Sequence, residues 1–440
     1  MQTIKRVMIL TALSLPLACE SSDPVPADSC TGALPRDDVD LFYHHAGFVD
    51  LDGDGIRDLV TVGEFRNLAG SGAYTFWLKG DRSSDRFEKQ PRFIGNGLGG
   101  MPTLVDLDGD GDTDIIAGGF FQEEQSLAWY ENVRTPDKEC PNGGWVYHLV
   151  DKSVGGVIQF SLVDDLFGDG RRFGLLSNHT NANLGQPESA LYAVEIPDDP
   201  VEGRWTLTPI SAGIRAAGDN PGTLAPGIFG TGDINGDGRT DVVLSGDGDP
   251  RVFWFEQTGI LQFEQRILEE HLPQAGGARI VDLDGDGRNE VLVTGFENDV
   301  IYSYTPGPGG MQRRSLDPQA SGPAFLNVAD MNGNGRPDVV ASLFGRKSDD
   351  AKTNYAGRLL IYEQDAAGEF TRTPLISEDL TFPTQPVLED IDGDGDRDIM
   401  VGAGFFSCMF IGKYPCGQLL WLEQTDRGWV RHELLRSMAE

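Results

Sequence analysis

Short apolar runs recur along the chain in sets of four, and each set is organised around one polar loop. The clearest runs are apolar, mostly β-branched, and have glycine close behind: Leu59-Val-Thr-Val62, Ile115-Ile-Ala117, Val242-Val-Leu244, Val291-Leu-Val293, Val339-Val-Ala341 and Ile399-Met-Val401. Runs of this length and composition predict strands. An aromatic row follows each loop: Tyr74-Thr-Phe-Trp-Leu78, Leu127-Ala-Trp-Tyr-Glu131, Leu191-Tyr-Ala-Val-Glu195, Val252-Phe-Trp-Phe-Glu256, Ile301-Tyr-Ser-Tyr304, Leu359-Leu-Ile-Tyr-Glu363 and Leu419-Leu-Trp-Leu-Glu423. A further segment mostly starts from an aromatic residue, as at Arg86-Phe87, Trp145, Trp205, Phe263, Phe370 and Trp429, and an apolar run such as Pro102-Thr-Leu-Val105 precedes each loop. Four strands, a to d, are therefore expected seven times over, with the aromatic rows as packing between units.

The loops themselves are near-copies of one nine-residue pattern. They start at Asp50, Asp106, Asp165, Asp233, Asp282, Asp330 and Asp390, 48 to 68 residues apart, so each marks one unit of a repeat protein. Ca2+ takes about six to eight hard oxygen ligands, and oxygen side chains at positions 1, 3 and 5 of a tight turn can converge on one point. Glycine at position 6 admits a positive φ without steric cost. Position 7 then offers its backbone carbonyl, and the acid at position 9 closes the sphere. The candidate ligands are Asp50, Asp52, Asp54, Ile56 and Asp58 in the first loop, and Asp106, Asp108, Asp110, Asp112 and Asp114 in the second. Asp233, Asn235, Asp237, Arg239 and Asp241 serve the fourth; Asp282, Asp284, Asp286, Arg288 and Glu290 the fifth. Asp330, Asn332, Asn334, Arg336 and Asp338 serve the sixth, and Asp390, Asp392, Asp394, Asp396 and Asp398 the seventh. The third loop has Phe167 and Phe173 at positions 3 and 9 and is expected to bind nothing.

An EF-hand shares the start of this pattern but needs a glutamate at position 12 and helices on both sides. Position 12 here is Thr61, Ala117, Leu176, Leu244, Val293, Ala341 or Val401, and the flanks read as strands. Four short antiparallel strands cannot bury their faces alone, whereas radial stacking of such units buries them all. The expected fold is all-β: a seven-bladed β-propeller of four-stranded antiparallel blades over residues 40–440, with calcium-binding loops between strands a and b.

The loop followed by a glycine-bounded apolar strand resembles the FG-GAP or VCBS repeat family, to which the propellers of integrin α-subunits belong. The resemblance covers nearly the whole chain after its leader. It implies calcium in the six intact loops, on the lower face of the propeller, and a tendency to bind extracellular partners.

The N-terminus bears on location. Lys5 and Arg6 precede an apolar stretch, Val7 to Ala18, too short to span a bilayer and shaped like a secretion signal. Residues 1–18 are read as signal peptide and 19–39 as anchor cysteine and flexible tether, with Cys19 in a sequence that resembles a lipoprotein cleavage box despite Pro16; plain secretion is the alternative. Cys408 and Cys416 flank a short b–c loop in the seventh repeat and are the first choice for a disulfide, leaving Cys30 with Cys140, or else free thiols.

The net charge of −34 is less extreme than it looks, because a large share of the 69 acids sits in the loops, where divalent ions would offset it. A nucleic-acid partner is excluded by the sign of the field. No zinc-type histidine spacing, nucleophile elbow or phosphate-binding glycine loop is present, so no catalysis is expected. The reading is a monomeric, exported binding or adhesion module for a protein or glycan partner at the cell envelope, touching the membrane only through a lipid anchor. The alternatives are a calcium-dependent carbohydrate-active enzyme of polysaccharide-lyase type and a purely structural surface protein. The ligand face is expected opposite the loops, with Phe65, Phe120, Phe121, Phe296, Phe344, Phe405 and Phe406 at the ends of strands b, and His45, Met101, Gln159, Arg279 and Gln385 toward the axis. Long b–c loops are expected in blades one, three, six and seven.

Overall fold

The computed structural model describes residues 41–67, 70–83, 86–119, 127–134, 144–180, 190–214, 225–247, 249–272, 276–345, 357–373, 377–404 and 417–436. Expectations placed on the leader, the tether, Cys19, Cys30, Cys140, Cys408, Cys416 and Phe120, Phe121, Phe405 and Phe406 fall outside these residues. Seven antiparallel sheets follow one another, each with its strands hydrogen-bonded in chain order. Blade one is β1 (Phe42–Val49), β2 (Asp58–Asn67), β3 (Gly70–Leu78) and β4 (Arg92–Asn96), and blade two is β5 (Thr103–Val105), β6 (Asp114–Gly118), β7 (Leu127–Val133) and β8 (Gly144–Asp151). Blade three is β9 (Gly155–Val163), β10 (Arg172–Thr180), β11 (Leu191–Ile196) and β12 (Thr206–Pro209), and blade four is β13 (Ala225–Gly232), β14 (Asp241–Asp247), β15 (Val252–Gly259) and β16 (Gln262–Glu269). Blade five is β17 (Ala278–Val281), β18 (Glu290–Gly295), β19 (Val300–Gly307) and β20 (Gly310–Asp317). Blade six is β21 (Pro323–Ala329), β22 (Asp338–Leu343), β23 (Gly357–Gln364) and β24 (Phe370–Arg372), with β25 (Ser377–Leu380) also paired to β23. Blade seven is β26 (Val387–Glu389), β27 (Asp398–Ala403), β28 (Gln418–Thr425) and β29 (Gly428–Arg436). Among the described residues no helix is long and apolar enough to cross a membrane.

The hydrophobic core is divided among the seams. Seven clusters of buried side chains each draw on two neighbouring blades, one cluster per seam, all the way round. This explains the near-continuous apolar character of strand b: side chains alternate between the faces of a strand, and here both faces meet a neighbouring blade. In β14, Val242 and Leu244 pack toward blade three while Val243 packs toward blade five. The first strands of adjacent blades touch at every seam, so they form the innermost ring.

Blade one differs from expectation in two places. Its fourth strand begins at Arg92; the Arg86-Phe87 segment instead forms a turn, with Arg86 at φ 58°, Asp81 N donating to Arg86 O at 2.8 Å, and a lone bridge from Phe87 to Gly80. Nor does it have a long b–c loop, because β2 and β3 continue their pairing as far as Asn67 and Gly70, with Phe65 opposite Gly72 inside the ladder.

The ring closes without a shared strand, since the first and last sheets are each complete from consecutive segments. Closure rests on side chains. Tyr43, Tyr74 and Phe76 of blade one pack with Met400, Leu419 and Trp421 of blade seven. Arg57 pairs with Glu389 at 2.6 Å and also donates to the carbonyl of Asp390. Gly402 permits this approach: a Cβ there would lie 2.0 Å from the backbone oxygen of Tyr43. Gly402→Ala should therefore lower stability in urea unfolding by about 1–3 kcal/mol, whereas Gly309→Ala, with open space around it, should be neutral. Equal stability of the two variants would show that the seam is looser than described.

Candidate metal centres in the a–b loops

Every loop connects the first strand of a blade to its second, and all seven share the same pair of glycine conformations. Glycines at positions 4 and 6 both take positive φ, for example 76° and 82° at Gly53 and Gly55 and 76° and 84° at Gly285 and Gly287. The position-1 aspartate organises the turn by accepting backbone N–H groups. Asp50 accepts from Gly53 at 2.7 Å and Gly55 at 2.9 Å, and Asp282 from Gly285 at 2.7 Å and Gly287 at 2.9 Å. The position-5 side chain accepts the N–H of position 7.

The position-9 acid begins strand b and is buried in all six intact loops. One of its oxygens accepts the N–H of loop position 2: Asp58 from Leu51, Asp114 from Leu107, Asp241 from Ile234, Glu290 from Leu283, Asp338 from Met331 and Asp398 from Ile391, at 2.8 to 3.2 Å. In the five aspartates the second oxygen accepts an N–H at the end of strand c, from Gly80, Asn132, Gln257, Gln364 or Gln424. In Glu290 the second oxygen, Oε1, is buried without a protein partner.

Carboxylate oxygens gather within 4.8 Å of one another at Asp50, Asp52 and Asp58, at Asp106, Asp108 and Asp114, at Asp282, Asp284 and Glu290, and at Asp390, Asp392 and Asp394. The fourth and sixth loops have amides in place of some acids, at Asn235, Asn332 and Asn334, whose oxygens are equally hard donors. Burial pushes the Asp114 carboxyl up to about 7, and the charges of Asp108 and Asp110 add to the shift. Burial likewise raises Asp241 and Asp398 to about 6, and Asp58, Glu290 and Asp338 in the same direction. A folded pKa above the unfolded value means that, without a cation, these groups withdraw stability as pH rises through that range. A divalent ion removes the deficit, so the residues present fit one.

The third loop keeps the two positive-φ glycines but enters them differently: Asp165 is at φ 47°, and its carbonyl accepts the N–H of Gly168 at 3.0 Å. Phe167 meets Phe173 edge-on at 4.7 Å, Phe173 is fully buried, and Arg171 neutralises Asp169 at 2.6 Å and Glu195 at 3.0 Å. An aromatic contact stands at positions 3 and 9, where the other loops carry oxygen side chains. Basic side chains reach carboxylates of the intact loops as well: Lys79 pairs with Asp52 and, at 2.7 Å, with Asp54, and Arg239 pairs with Asp237 at 2.8 Å.

Two sets of residues went unnoticed in the sequence. Loop position 2 is always apolar and buried, as Leu51, Leu107, Leu166, Ile234, Leu283, Met331 and Ile391, and each sits in the cluster shared with the next blade. The backbone carbonyl of position 1 or 2 is then held by a side chain from that next blade at all seven seams. Asn132, Gln257, Gln364 and Gln424 donate to Leu51, Leu166, Leu283 and Met331. Arg172, Asn289 and Arg57, from loop position 8, donate to Leu107, Asp233 and Asp390. The signal was available: each of the four strand-c amides directly follows a glutamate that ends an aromatic row.

Phe296 and Phe344 do not form an open surface; they pack edge-on at 5.8 Å in a buried cluster with Phe382. Two histidines carry carboxylate partners, His148 with Glu131 and His432 with Glu423, both at 2.6 Å. Each also stacks on a tryptophan, Trp129 or Trp421, so the arrangement is a packing motif repeated in blades two and seven.

A seven-bladed propeller with a nine-residue acidic loop in each blade defines the class. The FG-GAP-like repeat profile matches residues 50–117, 233–293 and 282–341, and the chain carries FG-GAP-like repeats. Each match starts at a loop and ends in strand b of the next blade, so the repeat unit spans a seam. No curated protein matches the chain. Among solved structures, a protein from Lactobacillus plantarum is 12% identical, with 91% of this chain and 96% of that chain covered at a TM-score of 0.50. A periplasmic gluconolactonase of Pseudomonas aeruginosa is 13% identical, with 90% and 96% covered at 0.49. At these identities the likeness extends to the fold alone.

Because Asp338 accepts two buried N–H groups, Asp338→Ala should cost about 2 kcal/mol or more even in excess chelator. Asn332→Ala should change stability in chelator by less than about 0.5 kcal/mol. Urea unfolding of both variants checks the difference; equal losses would mean that position 9 acts only through a metal.

Proposed function

We propose that the six intact loops bind Ca2+ and that the protein is an exported binding module for a protein or glycan at the cell envelope. The observation that carries the calcium reading is the fifth loop, where the buried Glu290 Oε1 lacks a partner and lies in a carboxylate cluster with Asp282 and Asp284. The side chains at positions 1, 3, 5 and 9 and the carbonyl of position 7 would hold the ion. It would supply charge neutralisation and a link between strands a and b. An all-oxygen set of this size suits calcium better than magnesium, which keeps several waters and prefers fewer protein ligands. The lyase-type alternative requires an acid/base pair outside the loops, and the two His–Glu pairs seen are engaged in stacking.

Binding at about 10⁻⁴ to 10⁻³ M is typical of extracellular modules, so excess chelator should lower the melting temperature by linkage. Asp286→Ala should reduce the number of calcium ions bound by one, and Asp169→Ala should leave it unchanged. A melting curve indifferent to chelator would contradict the calcium reading.

Export and anchoring rest on the leader sequence. Cys19→Ser should shift the protein from the membrane fraction to the soluble fraction and abolish labelling by a fatty-acid probe. A wild-type protein that takes up no probe would rule out the anchor.

A further inference from the structure

Among the described residues, the first strands carry one arginine or lysine, and no carboxylate pairs with it. Arg279 lies on β17, three residues before the fifth loop, among first strands that touch their neighbours all round the axis. Its Nε donates to Asn327 Oδ1 of blade six at 3.3 Å and its Nη1 to the carbonyl of Ala278 at 2.8 Å. Both acceptors are neutral, and Nη2 has no protein acceptor among the described residues. No carboxylate pairs with it there, in a protein whose net charge is −34. The equivalent place in the other blades holds no acid: Asn327 and Thr103 are polar, and Gly47 and Gly230 have no side chain. Asn327 is itself fixed, since its Nδ2 donates to the carbonyl of Pro386 of the next blade at 3.2 Å.

Burial draws the Arg279 guanidinium down to about 10, yet the residue keeps accessible surface. Propeller blades surround a central channel, and this partly exposed side chain stands on one of the first strands, which are nearest that axis. Arg279 is the only lysine or arginine on the described first strands, and a neighbouring amide orients it. A guanidinium with free N–H groups recognises carboxylates and other oxyanions, often through two parallel hydrogen bonds. Burying such a charge unpaired is costly, which favours a ligand that completes the pair.

We infer that the central passage holds a binding site for a small oxyanion, such as the carboxylate of a sugar acid, centred on Arg279 and positioned by Asn327. The site is independent of the calcium loops, so its failure would leave the calcium reading intact. The probes are sodium sulfate and sodium galacturonate, titrated into the calcium-loaded full chain in Tris chloride, with glucose as a neutral control and sodium chloride matching ionic strength.

The expected result is saturable binding of one anion per chain by calorimetry, absent with glucose and weakened at least tenfold in Arg279→Gln. Equal affinity for both anions identifies a simple oxyanion site, and preference for galacturonate identifies a sugar-acid site. Asn327→Asp places a carboxylate beside the guanidinium; it should raise the melting temperature and weaken anion binding to a similar degree. This second variant decides the question if Arg279→Gln does not fold. No saturable binding of either anion by the wild type, or binding unchanged in Asn327→Asp, would overturn the site.

Discussion

The peptide groups at the start of each a–b loop are shared between two blades, and the ring depends on that division. In the six intact loops the N–H of position 2 goes to the buried acid at position 9 of its own blade, while in all seven the carbonyl of position 1 or 2 goes to a side chain of the next blade. Between them, the position-2 side chain is pressed into the seam. A buried backbone group left unpaired costs about 1–3 kcal/mol, so this arrangement fixes each loop to two blades at once. It matters most in a fold whose core is distributed over seven seams and whose first and last blades share no strand. Asn132, Gln257, Gln364 and Gln424 make the division concrete: each gives its backbone N–H to the acid of its own blade and its side-chain amide to the loop of the blade before.

The acidic cluster and the fold are consequently two sides of one problem. A carboxylate is the acceptor that can serve two N–H groups from a single strand start, and its burial raises its pKa in every intact loop. The other loop acids make that burial more costly, and a divalent cation reverses the sign of their effect. The third loop supports this account from the opposite direction. Having Phe173 in place of the acid, it carries no acidic cluster among the described residues, and an aromatic pair fills positions 3 and 9.

Much of this architecture was legible in the sequence because it repeats. The loop spacing gave seven units, the apolar runs gave strand b, and the missing position-12 glutamate excluded the helical alternative. The fourth strand of blade one was misplaced because Phe87, the aromatic cue, belongs to a turn held by Arg86 at positive φ, which no short-range pattern reveals. The b–c connection of blade one was misjudged because Gly70 and Gly72 resemble loop residues, although they pair with Asn67 and Phe65. The seam clasps were hidden for another reason: the side chain alternates between a strand-c amide and a position-8 residue, so no single column of the repeat displays it. Arg279 could be seen as a residue near the axis, but its lack of a counter-charge is visible only when the neighbouring blades surround it.

Amide hydrogen exchange at loop position 2 tests the central claim most directly. The account predicts that, even in excess chelator, the amides of Leu51, Leu107, Ile234, Leu283, Met331 and Ile391 exchange as slowly as those of strand b. The amide of Leu166, whose loop has no position-9 carboxylate, should exchange markedly faster. Rapid exchange at all seven positions, or protection at Leu166 equal to the other six, would contradict it.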